Sequence, residues 1–142
     1  PQVSRPFITK WFRQNPVIAK KADLSPVTIA DQEIETALRN VIQKAFPDDA
    51  IHGEEFGSEK SLDGQRFCWV IDPIDGTKAF ISGKPVFGTL VGLTDNGIPL
   101  AGLIDMPGLD ETYVGHVMEQ RQFMCQLNTA MVQPSHCQNL QC

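Results

Sequence analysis

Two stretches of the chain have apolar residues at helical spacing. The first comprises Phe7, Ile8, Trp11 and Phe12, which lie on one face of a helix predicted over residues 3–14. The second stretch is predicted to begin at Ser25-Pro26, because serine suits the helix cap and proline suits the first turn. It should end at Phe46-Pro47. Its predicted apolar face is formed by Ile29, Glu33, Ile34, Ala37, Leu38, Val41, Ile42 and Ala45.

The remaining pattern predicts strands. Phe67 to Ile71 is an apolar, β-branched and aromatic run, predicted as a buried strand that ends where Pro73 offers no N–H group. Residues 86–94 and 98–105 are joined by Asp95-Asn96-Gly97, a strong hairpin sequence, and residues 111–115 suit a further strand. Residues 17–25 are interpreted as an extended polar connector. Two helices packed on an antiparallel sheet would form an α+β fold.

Composition narrows the class of protein. The chain has 142 residues, 42% of them apolar, which is enough to bury one core. A net charge of −5 argues against a nucleic-acid surface. With no run of 18 apolar residues and no signal-peptide pattern, we expect no membrane association and a cytoplasmic location. The four cysteines, Cys68, Cys125, Cys137 and Cys142, lack paired spacing and are expected to be reduced.

The strongest chemical pattern lies where the Phe67–Ile71 run ends. Asp72 and Asp75 are three residues apart around a turn, so both side chains can converge and supply the hard oxygen ligands that Mg²⁺ prefers. A helix starting after Asp75 would point the amides of Gly76 and Thr77 at an anion. Upstream, a short strand at Ile51 also delivers carboxylates at its end, Glu54 and Glu55. The sequence therefore predicts a metal and phosphate site.

Each of these residues also has a simpler explanation. Asp-Pro and Asp-Gly are common turn dipeptides. Asp31 lies early in the second helix, where the helix dipole alone favours an acid. Side chains alternate along a strand, so only one of Glu54 and Glu55 needs to face the site. Lys21 and Lys78 could steer phosphate, although a solvated Lys78 is the simpler interpretation. His52, His116 and His136 show no ligand spacing, and Trp69 and Phe87 are assigned to the core.

The same residues carry a family resemblance. Gly53-Glu54-Glu55, followed by Trp69-Val-Ile-Asp-Pro-Ile-Asp-Gly-Thr77, resembles the motifs of the inositol monophosphatase superfamily of Mg²⁺-dependent, lithium-sensitive phosphatases. The run from Lys21 to Glu33 is similar to another motif of that superfamily. The strings at 53–57, 76–89 and 102–107 look most like its histidinol-phosphatase branch. The resemblance covers roughly residues 5–116 and implies the sugar-phosphatase fold.

The resemblance also implies roles for the site residues. Glu54, Asp72 and the main-chain carbonyl of Ile74 would hold a first Mg²⁺, and Asp72 and Asp75 would hold a second. Two or three ions are implied, with Mn²⁺ as a possible substitute. Thr77, with Glu54, would orient the attacking water. Asp31 would accept a hydrogen bond from the Thr77 hydroxyl.

Function follows from the same comparison of motifs. The implied activity is hydrolysis of L-histidinol phosphate in histidine biosynthesis. The alternatives are inositol-1-monophosphatase activity, 3′(2′),5′-bisphosphate nucleotidase activity, or an inactive cation-binding fragment. A homodimer is implied for the full-length protein, with a small phosphorylated substrate as its partner.

The chain also departs from the family pattern. The family's later Trp-Asp motif, whose aspartate completes the second metal site, is absent from this sequence. Residues 1–116 are therefore expected to be an N-terminal metal and phosphate domain. Residues 117–142 are interpreted as a divergent or truncated tail that begins a second domain.

Overall fold

A computed structural model describes residues 2–14, 18–20, 26–59, 64–118, 121–128 and 134–140. Lys21 and Ser25 lie outside these ranges. The helices are α1 (Arg5–Trp11), α2 (Ile29–Ala45) and α3 (Thr77–Ile81). The strands are β1 (Ile18–Lys20), β2 (Pro26–Thr28), β3 (Ala50–Gly53), β4 (Gly57–Ser58), β5 (Phe67–Asp75), β6 (Gly88–Asp95), β7 (Ile98–Met106), β8 (Glu111–Met118), β9 (Arg121–Asn128) and β10 (Pro134–Leu140).

Helix α2 does not begin at Ser25-Pro26, so that prediction is wrong. Pro26–Thr28 forms strand β2 and pairs antiparallel with Ile18–Lys20, inside the predicted connector. Thr28 is the N-cap: its side chain accepts a hydrogen bond from the Asp31 amide, and the Asp31 carboxylate accepts one from the Thr28 amide. This capping box satisfies two free amides of the first turn, which explains why the helix begins at Ile29. The predicted end at Phe46 is confirmed.

The buried face of α2 differs from the predicted apolar face. Ile34 and Ile42 are buried as predicted, but Ile29 and Val41 are 42% and 51% exposed. Three ionisable residues are buried instead: Asp31, Glu35 and Arg39. Burial of charged groups requires polar partners. The helix therefore turns a polar stripe toward the strand ends that carry the predicted site.

Eight strands form one sheet in the order β10-β9-β8-β7-β6-β5-β3-β4. The α+β class is confirmed, but the sheet is mixed rather than antiparallel. Strand β3 runs parallel to β5, pairing Ala50 with Cys68 and Gly53 with Ile71. The connection over 54–66 is long enough for the crossover that a parallel pair requires. Two adjacent strands consequently end at the same edge of the sheet.

The predicted hairpin is confirmed. Asn96 and Gly97 have φ values of 50° and 80°, as expected for an Asn-Gly turn between twisted strands. Strand β5, however, continues past Pro73 to Asp75, so its predicted end is wrong. Its pairing with β6 shifts between Asp72 and Asp75, and this irregularity accommodates the proline within the strand.

The strand predicted over 111–115 is β8, which extends to Met118. Strand β9 pairs with β8, and β10 pairs with β9. The sheet thus continues across the predicted boundary between 116 and 117, and the division into two domains stays a prediction. No helix in the described part of the chain is long and apolar enough to cross a membrane.

Two hydrophobic clusters anchor the middle of β5. Ile71 packs with Ile42 and Ile51 in one cluster. Ile74 packs in the other, with Phe87 and Ile34. Phe87 therefore lies in the core as predicted, whereas Trp69 is half-buried and donates its indole N–H to Asp49. Because Ile71 and Ile74 are held by different clusters, the segment with Asp72 between them is fixed at both ends.

Candidate metal and phosphate site

Glu54 and Asp72 follow directly after paired residues of neighbouring parallel strands. Gly53 lies beside Ile71 in the sheet. The Glu54 amide continues this pairing by donating to the Ile71 carbonyl at 3.0 Å. Both carboxylates consequently leave the same edge of the sheet. The Glu54 side chain lies close enough to Asp72 to raise its pKa by hydrogen bonding and by charge. That Glu54 rather than Glu55 serves the site stays a prediction.

An irregularity in β5 brings Asp75 toward the same edge. Asp72 pairs with Leu90 and Asp75 with Gly88, so the two residues between them face Thr89 alone. The Thr89 hydroxyl donates to the Pro73 carbonyl at 2.9 Å, within the buried interior. This bond holds the bulge in place. Asp75 remains exposed.

The electrostatics of Asp72 are unusual. Burial, together with the hydrogen bond and charge of Glu54 and the charges of Asp75 and Asp31, raises its pKa from 3.8 to about 7. Desolvation and like charges both disfavour the ionised form of a carboxyl group. Asp72 Oδ1 is also buried, and it has no hydrogen-bond partner among the described residues. A cation placed here would relieve both penalties.

The described residues do not form a complete coordination shell. Within the described ranges, no three His, Cys, Asp or Glu side chains are arranged to hold a metal ion. Glu54 and Asp72 share a hydrogen bond instead. The fold therefore brings acidic groups together, and their side chains would have to rearrange to coordinate an ion.

Thr77 and Asp31 have other hydrogen-bond partners. The Thr77 hydroxyl donates to the Ile74 carbonyl at 3.0 Å. The Asp31 carboxylate accepts from both the amide and the hydroxyl of Thr28, at 2.7 and 2.5 Å. Its charge still reaches the site, because it contributes to the raised pKa of Asp72. The predicted hydrogen bond between Asp31 and the Thr77 hydroxyl stays a prediction.

Gly76 makes the turn from β5 into α3. Its φ of 85° is unfavourable for residues with a side chain, and a Cβ atom there would lie 3.2 Å from the Val86 carbonyl oxygen. Helix α3 has only five residues, and its first turn begins with Thr77. Lys78 is exposed, in agreement with its interpretation as a solvated lysine.

Sequence reasoning missed Glu35 and Arg39. Glu35 is fully buried, and its carboxylate accepts hydrogen bonds from the Glu55 and Phe56 amides at 2.7 and 3.3 Å. Its spacing from Arg39 is typical of solvated i,i+4 pairs on helix surfaces. The Gly53-Glu54-Glu55 motif could have indicated these two residues. The backbone amides and carbonyls of a turn next to a buried strand need hydrogen-bond partners, and a neighbouring helix can supply them.

Comparisons with known proteins show which family the chain belongs to. The sequence model of the inositol monophosphatase family matches residues 5–141 of this chain. The match therefore extends beyond residue 116, where the predicted resemblance ended. The chain belongs to the inositol monophosphatase family. It is 51% identical over 108 residues to the bifunctional phosphatase IMPL2, chloroplastic, of Arabidopsis thaliana, covering 76% of this chain and 31% of that protein. It is 43% identical over 101 residues to the histidinol-phosphatase of Chlorobaculum parvum, covering 71% and 38% of the two chains.

Solved structures show the same fold. An IMPase of Thermotoga maritima has a TM-score of 0.74 and 31% identity, over 87% of this chain and 46% of that one. An inositol monophosphatase of Zymomonas mobilis has a TM-score of 0.65 and 43% identity, over 81% and 43%. The chain spans about a third of the length of the curated relatives it matches.

Proposed function

We propose that the protein acts as a Mg²⁺-dependent phosphomonoesterase on a small phosphorylated substrate. The observation that carries this proposal is the setting of Asp72, where burial and the neighbouring carboxyl groups of Glu54 and Asp75 raise its pKa to about 7. Packing alone does not explain why acidic side chains surround Asp72, whose buried Oδ1 has no hydrogen-bond partner among the described residues. A divalent cation would explain it.

The donor set fits such a cation. Glu54 and Asp72 would hold a first ion with the Ile74 carbonyl, and Asp75 with Asp72 would hold a second. All of these donors are hard oxygens, the ligands that Mg²⁺ and Mn²⁺ prefer. The Ile74 carbonyl already accepts from Thr77, so it would serve two partners. Carbonyl oxygens have two lone pairs, which makes this compatible.

The side chains would divide the remaining work. When bound, the cations would neutralise phosphate charge and lower the pKa of water. Thr77 and Glu54 would orient the attacking water, and Glu54 would accept its proton. Asp31 would hold the Thr77 hydroxyl in position. The amides of Gly76 and Thr77 would contact phosphate oxygens at the start of α3.

L-Histidinol phosphate is the proposed substrate. The histidinol-phosphatases of Chlorobaculum parvum and Mycobacterium tuberculosis are 43% and 40% identical to this chain. The inositol-1-monophosphatase of Mycobacterium bovis is 37% identical, which keeps inositol 1-phosphate as the second candidate. Lithium sensitivity and a homodimer of the full-length protein are further parts of the proposal.

Calorimetric titration of Mg²⁺ into the 142-residue chain tests the metal site. The wild type should release or absorb heat, and Asp72→Asn should not. Asp95→Asn is the matched control, because Asp95 lies on β6 at the far end of β5, paired with Arg66. Equal heats for the wild type and Asp72→Asn would contradict the site.

A phosphate-release panel on the protein as encoded by its gene tests the substrate. The kcat/KM for histidinol phosphate should exceed that for inositol 1-phosphate at least about tenfold, which is roughly 1.4 kcal/mol of transition-state preference. A preference for inositol 1-phosphate or a bisphosphate nucleotide would overturn the substrate assignment. Mg²⁺ binding without any phosphate release would favour the cation-binding alternative.

A further inference from the structure

An ion pair on α2 is buried behind the loop that carries Glu54. The Arg39 guanidinium Nε lies 2.8 Å from Glu35 Oε1, and the two side chains are 5% and 0% exposed. The desolvation of such a pair offsets most of its attraction, so apolar residues of similar volume often stabilise a fold equally well. Stability alone is therefore a weak explanation for burying these charges.

Both members of the pair bind the backbone after β3. Glu35 accepts from the amides of Glu55 and Phe56, one on each carboxylate oxygen. Arg39 Nη2 donates to the Gly57 carbonyl. Three consecutive residues, two from the turn after β3 and the first of β4, are thus attached to one helix through groups that apolar side chains cannot replace.

Gly53 allows this close approach. A Cβ atom at Gly53 would lie 1.9 Å from Glu35 Oε1 and 2.8 Å from Arg39 Nη2. On the other side of the loop, the Glu54 amide donates to the Ile71 carbonyl. The peptide groups before and after Glu54 are therefore held from opposite sides, by β5 and by α2.

We propose that the Glu35–Arg39 pair is a positioning clamp that holds the Glu54 carboxylate beside Asp72, ready for a divalent cation. This inference rests on the proposed function. The clamp fixes the backbone on which Glu54 is mounted and does not itself contact the cation. Glu54 can hold a cation together with Asp72 only while its backbone stays in place, so a mobile loop would weaken the site. A fixed loop removes that freedom before the cation binds.

The variant Glu35→Leu/Arg39→Met tests the clamp in the 142-residue chain. It removes the polar contacts and preserves much of the buried volume. We expect the Kd for Mg²⁺ to rise at least about tenfold, with faster exchange of the Glu55 amide. The unfolding midpoint should fall as well, because backbone groups of residues 55–57 lose their partners. Glu35→Gln/Arg39→Gln keeps an acceptor for that amide and should recover part of the affinity.

The matched control removes an ion pair between α1 and α2. Lys10 of α1 and Glu33 of α2 are joined at 3.1 Å, and Glu33 also accepts from the Trp11 indole N–H, so its contacts are with α1 rather than with the loop. The variant Lys10→Met/Glu33→Leu should bind Mg²⁺ within about twofold of the wild type. Loss of affinity in this control as large as in the clamp variant would overturn the proposal.

The remaining outcomes separate the clamp from the proposed function. A wild type that binds no Mg²⁺ would refute the metal site proposed for this chain, and the clamp with it. A wild type that binds Mg²⁺, with the apolar clamp variant binding equally well, would refute the clamp alone. If the apolar variant does not fold, Glu35→Asp decides: it keeps the charge but withdraws the carboxylate from the Glu55 amide. Weaker Mg²⁺ binding would support the clamp, and unchanged binding would refute it.

Discussion

At the scale of single residues, Asp72 shows how a site can oppose the stability of its own fold. Its carboxyl group is flanked by other acids, and one of its oxygens is buried without a hydrogen-bond partner among the described side chains. Groups that raise a carboxyl pKa make the ionised native state less stable. This cost is understandable if the residue is retained for a charged ligand.

The stability of the metal-free protein should depend on pH through Asp72. Its pKa is about 7 in the folded protein against an ordinary 3.8, so the folded state binds more protons between these values. Stability from this residue is complete below about pH 4 and is lost as the pH rises through 7. Asp72→Asn should therefore melt higher than the wild type at pH 8, by about 3 °C or more.

Melting curves in a chelator at pH 4 and pH 8 measure this difference. The difference in melting temperature between Asp72→Asn and the wild type should be small at pH 4 and increase as the pH rises. An equal gap at both values would show that Asp72 titrates normally.

The Thr77 hydroxyl should matter more for turnover than for stability. Thr77→Ala in the protein as encoded should lower kcat about 10²-fold, because the attacking water loses a positioning group, and serine should restore part of the rate. Thr94→Ala is the control, since its hydroxyl also donates to a β5 carbonyl, at Cys68, away from the acids. A Thr77→Ala enzyme with normal kcat would assign the hydroxyl to structure alone.

At the scale of elements, the site is built where β3 ends beside Ile71 of β5 and where β5, after Asp75, turns into α3. Gly76 makes that turn with a left-handed backbone, against the Val86 carbonyl. Gly97 has a similar φ in the β6–β7 hairpin, but a Cβ there would meet nothing within 4 Å. The two glycines therefore separate backbone strain from steric contact.

Alanine substitutions at these glycines should differ in cost. Gly97→Ala should lower the free energy of unfolding by about 1 kcal/mol, the cost of a left-handed residue. Gly76→Ala should lower the free energy of unfolding by at least about 2 kcal/mol, because the added Cβ also contacts the Val86 carbonyl, just before β6. Urea denaturation of both variants checks this, and equal losses would show that the 3.2 Å contact relaxes freely.

At the scale of the whole molecule, Asp105 of β7 joins helix α1 to strands β7 and β8. This buried carboxylate accepts from Arg5 at 2.9 Å and from Thr112 at 2.8 Å. The Asp105 carboxylate, with that of Asp110, holds the pKa of Arg5 above its ordinary range. Helix α1 is thereby attached to β7, about a hundred residues later in the chain.

Arg5→Met should be destabilising because it leaves the Asp105 charge buried without its cation. The expected loss is about 3 kcal/mol in the free energy of unfolding. Arg66→Met removes the exposed pair with Asp95 and should change the unfolding midpoint little. Chemical denaturation of the two variants measures both effects, and similar losses would mean that Asp105 finds other partners.

Local sequence patterns predicted several of the elements of this structure. The Asn96-Gly97 hairpin, the end of α2 at Phe46 and the position of Glu54 directly after β3 all depend on short-range preferences of the backbone. The start of α2 was mispredicted because Ser25-Pro26 is a plausible cap, whereas the Thr28–Asp31 capping box and the pairing of β2 with β1 gave Pro26 another role.

Sequence by itself determined the acidic motif, the α+β class and the family resemblance, because these depend on residue type and on spacing along the chain. Tertiary structure decided the parallel pairing of β3 with β5, the bulge between Asp72 and Asp75, and the burial of Glu35 and Arg39. Each of these joins segments distant in sequence, and no periodicity within one segment reports what lies across from it. The raised pKa of Asp72 belongs to the same class, because it arises from Glu54, Asp75 and Asp31 together.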